Sequence, residues 1–251
     1  MAKTRTSKTA QAAPATPAKP AKPATPATPT VTIRTMIVCV PDELPGEALT
    51  SRQLDRNFGV QGNLLPRFWA SQALRLWHHR QMIGLRKGRP ACCAGGPAHL
   101  LDLAGLRQAF GMGAGIRHQL FSRVVHGTAP ATPWHVYEAR HLADPDAYTG
   151  EAAVADFKNQ PRVNAIRMHN AATYGAGQIP LEELEMFQAG CMAYQHYSAS
   201  TALAGDALIT VEGAKLAPAS DAMADRVTYL EQANRLLDGI DPEQRLLAVS
   251  L

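Results

Sequence analysis

Apolar and polar positions fall into unlike regimes along the chain, and the change at Val31 is abrupt. Residues 1–30 show no apolar periodicity. Val31–Val40 (VTIRTMIVCV) is β-branched and apolar and reads as a strand that Pro41–Pro45 ends. Thr50-Ser51-Arg52-Gln53 has the form of a capping box, opening a short helix with Leu54 and Phe58 on one face and Gly59 just past its end. After Val60-Gln61-Gly62, Asn63 as cap and Pro66 in the first turn predict a second helix from Leu64 to Ile83. On that helix Leu65, Trp69, Ala73, Leu76 and Ile83 share an arc of about 80°, opposite Arg67, Ser71, Arg75 and His78. Leu101–Phe110 predicts another helix, and Gly111-Met112-Gly113-Ala114-Gly115 a hinge after it.

Beyond the connector Gly127–Pro133, three- and four-residue apolar steps predict helices over Glu151–Asn159, Val163–Ala172, Leu181–Leu203, Asp221–Leu237 and Pro242–Val249. A small β-hairpin, Ala207–Ile209 with Lys215–Ala217 around Glu212-Gly213, interrupts them. The expected fold class is mainly α.

Charge sharpens this division. The 251 residues carry a net +4, yet residues 1–129 hold +12 and residues 130–251 hold −8. Residues 1–30 are almost wholly Ala, Pro, Thr and Lys, with four Lys, one Arg and no acid. Too apolar-poor to offset its ordering entropy, this segment is expected to be a disordered basic tail. A polyanion-binding tail, a plain linker and a transit segment all fit that composition, whose texture resembles the tails of linker-histone-like and other bacterial DNA-compacting proteins. Residues 52–89 hold eight Arg or Lys against Asp55 alone. Two helices joined by a Gly-bearing turn, the second with a basic outer face, is the geometry that a major-groove reader needs.

Residues 49–110 resemble the MerR/excisionase-type winged helix-turn-helix domains. Leu49-Thr50-Ser51-Arg52-Gln53-Leu54 with Phe58-Gly59-Val60 is similar to that group's opening helix and turn. Leu74–Ile83, bearing Trp77, resembles its recognition helix, Gly84–Pro97 its wing, and Leu101–Phe110 the helix that follows. Trp77 comes later here than in that group, so the resemblance needs a recognition helix lengthened by Gln61 to Ala73. The resemblance implies DNA contacts from Arg52, Arg67, Ser71, Arg75 and His78, with Arg86, Lys87 and Arg89 on phosphates. The domain expectation is a tail at 1–30, a basic helix-turn-helix-like domain at 31–127, and an acidic helical assembly domain at 134–251.

Other chemistry lacks its motifs. Cys92-Cys93 are adjacent rather than spaced as zinc ligands, and GxxxxGK[ST], GxSxG and HExxH are absent. Tyr194 and Tyr197 read as packing residues, and Glu182, Glu183 and Glu185 as first-turn carboxylates after Pro180. No catalytic set, cofactor or metal is therefore expected, and no run of about 18 apolar residues predicts a membrane span. The expectation is a cytoplasmic, non-enzymatic protein that binds double-stranded DNA or another polyanion and self-associates, as a regulator or maintenance factor of a bacterial mobile element or phage. The alternative is a phage assembly protein, located in the virion, whose tail contacts packaged nucleic acid.

Overall fold

The computed structural model describes residues 31–41, 55, 56 and 58–251. The basic tail, the capping box Thr50–Gln53 and with it Arg52 lie outside those residues. In chain order the strands are β1 (Thr35–Val40), β2 (Asn63–Leu64), β3 (Phe68–Trp69), β4 (Cys92–Cys93), β5 (Gly95–Pro97), β6 (Ala207–Ile209), β7 (Lys215–Leu216) and β8 (Arg245–Ser250). The α-helices are α1 (Leu103–Val124), α2 (Trp134–Ala143), α3 (Gly150–Asn159), α4 (Pro161–Ala172), α5 (Leu184–Ala189), α6 (Cys191–Ala204) and α7 (Met223–Asp238). Among the described residues helix outweighs strand, as expected, but the strands form the centre.

The main sheet runs β2-β8-β1-β6-β7, with β5 also on β8. β1 pairs parallel with β6 (Ile37 opposite Leu208) and antiparallel with β8 (Val38 opposite Leu247). Side chains alternate between two dry faces. Ile37, Cys39, Leu208, Leu246 and Ala248 join a core with Leu106 of α1, Leu203 of α6 and Leu230 of α7. Met36, Val38, Val40, Ile209, Leu247 and Val249 pack instead with Val60, Phe58 and Ile83. Burial on both faces is why the β1 run is apolar almost throughout rather than alternating. Because one sheet joins β1 to β6 and β8, the boundary expected near 127–134 does not divide the core.

Three expected elements differ. Pro242–Val249 is not helical; its residues from Arg245 form β8, with partners on both sides, and those ladders decide against the local helical pattern. Gly95 lies on that strand's far edge. A Cβ there would collide with the Leu246 carbonyl oxygen, so only glycine lets the backbones meet. The Gly111–Gly115 hinge is helical, inside α1, where Gly111 and Gly115 face Gln195 and Ala199 of α6. Packing against α6 outweighs the poor helix propensity of glycine. The Leu181–Leu203 helix is broken at Gly190, whose φ of 109° turns the chain between α5 and α6. The hairpin Ala207–Leu216 forms, and α3, α4 and α7 lie within a few residues of their expected spans. Among the described residues no helix is long and apolar enough to cross a membrane.

Candidate nucleic-acid interface

The expected helix from Leu64 to Ile83 does not form. In its place stand β2, β3 and a 3-10 turn, Leu76–Gln81. The backbone N–H groups find partners outside the segment: Leu65 N donates to Ala248 O at 2.9 Å, Ala70 N to Ala91 O at 2.9 Å, and Ser71 N to Leu100 O at 2.9 Å. Phe68 is buried in the core while β3 pairs with Cys92–Cys93. The amphipathic arc fails with it, since Leu76, assigned to its apolar side, is 83% exposed. Nor is Gly84–Pro97 a free wing, because its last three residues are strand β5 of the main sheet.

What forms instead is a lobe of residues 71–91. The chain leaves the body after Ala70 and returns at Ala91, the two joined by the Ala70 N to Ala91 O bond. Buried Met82 and half-buried Leu74, Ile83 and Leu85 anchor it, and Ile83 N donates to Gly95 O at 2.8 Å. Farther out, Arg86 and Cys92 exchange backbone bonds of 2.7 and 3.1 Å. The excursion thus has a fixed base and an exposed rim, with the 3-10 turn Leu76–Gln81 between them.

The rim is basic. Between Asp55 and Asp102 the sequence has no Asp or Glu, and Arg75, Arg80, Arg86, Lys87 and Arg89 are all exposed on the lobe, with His79 beside them. None of these five Arg and Lys side chains makes an ion pair among the described residues. Trp77 stands among them, 70% exposed. Its indole Nε1 donates to His78 Nε2 at 2.9 Å, with the rings 5.5 Å apart and at 73°. His78 Nδ1 also lies 3.3 Å from Arg75 N. A neutral imidazole has one bare nitrogen, and the shorter contact assigns it to Nε2.

The sequence-derived site residues divide. Ser71, Arg75, His78, Arg86, Lys87 and Arg89 lie on the lobe, where the Ser71 hydroxyl accepts from Ala73 N at 3.2 Å and shapes the first turn. Arg67 does not join them. Its Nε donates to Ala202 O at 2.9 Å and its Nη2 to Thr201 O at 2.7 Å, so it caps the C-terminal carbonyls of α6. Burial pulls its pKa below the usual guanidinium value. Arg52 lies outside the described residues. Sequence reasoning missed Arg80 and the exposure of Trp77; the acid-free run from Arg56 to Leu101 was the available signal.

A concave surface elsewhere contrasts with the lobe. A cleft of about 550 Å³ runs past Arg34, Trp134, His135, Glu138, Glu182 and Asp221. Its basic side chains face carboxylates: Arg34 with Glu182 at 3.9 Å, His135 Nδ1 with Glu185 at 3.1 Å, Arg226 with Asp221 at 2.8 Å. Behind it Tyr194 is buried and donates to Glu183 at 2.8 Å, its ring 4.0 Å from that of Phe187. Burial raises the pKa of Glu183, against the opposing effect of that hydrogen bond. This is a packed polar pair rather than an open acid and base.

No family model, curated protein or solved structure matches the chain. The lobe is therefore read from its geometry and charge.

Proposed function

We propose that this protein binds nucleic acid through the 71–91 lobe. The observation that carries the reading is the set of five exposed cations, Arg75, Arg80, Arg86, Lys87 and Arg89, in an acid-free stretch with no carboxylate partner among the described residues. Exposed cations next to acids neutralise themselves; these hold their charge for an outside anion. A phosphate backbone rewards such a row by releasing its counterions, which makes binding salt-dependent and largely independent of sequence. The basic residues of the segment 1–30 add to the same attraction.

The contact replaces the recognition helix with a loop rim, so Arg67 has no part in it. The two roles that the sequence suggests, a regulator of a mobile element and a phage assembly protein, share this contact and differ in stoichiometry. Light scattering separates them: small discrete complexes fit the first and large closed assemblies the second.

Fluorescence anisotropy of labelled random-sequence oligonucleotides, titrated with the full chain over a series of salt concentrations, tests the proposal. Binding should weaken steeply with salt, and Arg86→Ala/Lys87→Ala/Arg89→Ala should flatten the log–log slope by about 2 to 3. Absence of binding at low salt, or an unchanged slope in that variant, overturns it.

A further inference from the structure

We infer that Trp77 is a base-stacking residue and that the lobe takes single-stranded rather than double-stranded nucleic acid. This rests on the reading of the lobe given above and names its ligand.

The three tryptophans are treated differently by the fold. Trp69 lies half-buried in β3, paired with Cys92, and Trp134 packs edge-on against Phe157 with ring centres 5.6 Å apart. Trp77 has His78 as its ring partner among the described residues and is 70% exposed. Tyr174 is exposed as well, but Trp77 is the most exposed of the three tryptophans and stands on a cationic rim, which narrows what its ligand can be.

The way the ring is held is specific. Nε1–H lies in the plane of the indole, so the 2.9 Å bond to His78 grips Trp77 by its edge. The rings meet at 73°, and neither face of the indole is used by that contact. The 3-10 turn beneath it is fixed by His78 N donating to Arg75 O at 3.0 Å and by the burial of Met82. The result is a flat platform oriented before any ligand arrives, with Arg75 and Arg80 close by in sequence for the flanking phosphates.

That arrangement suits unpaired bases. In a duplex each base face is covered by its neighbours, and reaching one requires opening a step. A single strand offers its faces freely, and stacking on an aromatic side chain tolerates any base. The same segment forms no α-helix, the element with which helix-turn-helix proteins enter the major groove.

The test uses the full chain with a thymidine oligonucleotide and with a random duplex of equal length. The oligonucleotide should quench intrinsic tryptophan fluorescence, and Trp77→Ala should abolish that quench although Trp69 and Trp134 remain. Trp77→Ala should weaken single-strand binding by about tenfold or more, Trp77→Phe by less, and duplex binding by under about twofold. An unchanged thermal midpoint in Trp77→Ala shows that the loss is of contact, not of fold. If wild-type protein binds both ligands but Trp77→Ala changes neither, or both equally, the stacking inference is wrong and the basic-lobe reading stands. If wild-type protein binds neither at low salt, both are wrong.

Discussion

The lobe and the cleft both concentrate ionisable side chains, and they differ in whether those side chains answer one another. In the cleft Arg34, His135 and Arg226 each face a carboxylate at 2.8 to 3.9 Å. On the lobe five cations stand on a rim with no acid between Asp55 and Asp102. Charge density alone would rank the two surfaces together. Pairing separates a surface that has satisfied itself from one that retains a field for a ligand.

The largest expected effect tests that contrast directly. Arg86→Ala/Lys87→Ala/Arg89→Ala should lower nucleic-acid affinity about tenfold or more at low salt, whereas Arg34→Ala/Arg226→Ala should change it by less than about twofold. Equal losses from both would show that net charge, not the lobe, drives binding. Next comes stability within the basic stretch itself. Arg67→Ala should cost about 2 kcal/mol in urea unfolding, because it strips two carbonyl oxygens of α6 of a charged donor. Arg86→Ala, on the exposed rim, should stay within about 0.5 kcal/mol. Gly95→Ala, whose Cβ would meet the Leu246 carbonyl, should cost about 1 to 3 kcal/mol by the same measurement.

The thiols sharpen the boundary between lobe and core. Burial pushes Cys39 up to about 11 and Cys93 up to about 12, while Cys92 beside it is partly exposed at the foot of the lobe. Alkylation of the native chain, read by peptide mass spectrometry, should therefore mark Cys92 and Cys191 and spare Cys39 and Cys93. A bound oligonucleotide should slow labelling of Cys92 but not of Cys191. The raised values also carry a sign. Below the ordinary thiol range near pH 9 both states are protonated and nothing is lost. As pH climbs from there toward 11 and 12 the unfolded chain ionises first, so stability falls. Urea midpoints measured between neutral pH and pH 10 should decline only at the upper end.

Much of the fold was legible where local pattern and tertiary setting agree. The β1 run, the hairpin turning at Glu212-Gly213, and α3, α4 and α7 all follow their sequence signals. The pattern misled where a neighbour from far along the chain supplies the hydrogen bonds. Leu64 to Ile83 has a helical arrangement of apolar residues, yet Ala248, Ala91 and Leu100 take its N–H groups. Pro242–Val249 has a helical pattern too, yet its residues from Arg245 lie between β1 and the β2 and β5 strands. The helix α2 gave the opposite error: it forms although no side chain in it is fully buried, with Trp134 and Tyr137 meeting Phe157 of α3.

The candidate site shows the same division. The sequence alone determines that residues 56 to 101 hold no carboxylate and that a tryptophan sits among their cations. It cannot rank one arginine of that stretch against another, because rank depends on partners that lie far along the chain. Arg67 finds carbonyl oxygens 134 and 135 residues away and is committed to the core, while Arg75, Arg80, Arg86, Lys87 and Arg89 make no ion pair among the described residues. Only the tertiary structure, which brings the C-terminal carbonyls of α6 to Arg67 and sends 71–91 outward, decides which of these charges are tied into the core and which stand exposed.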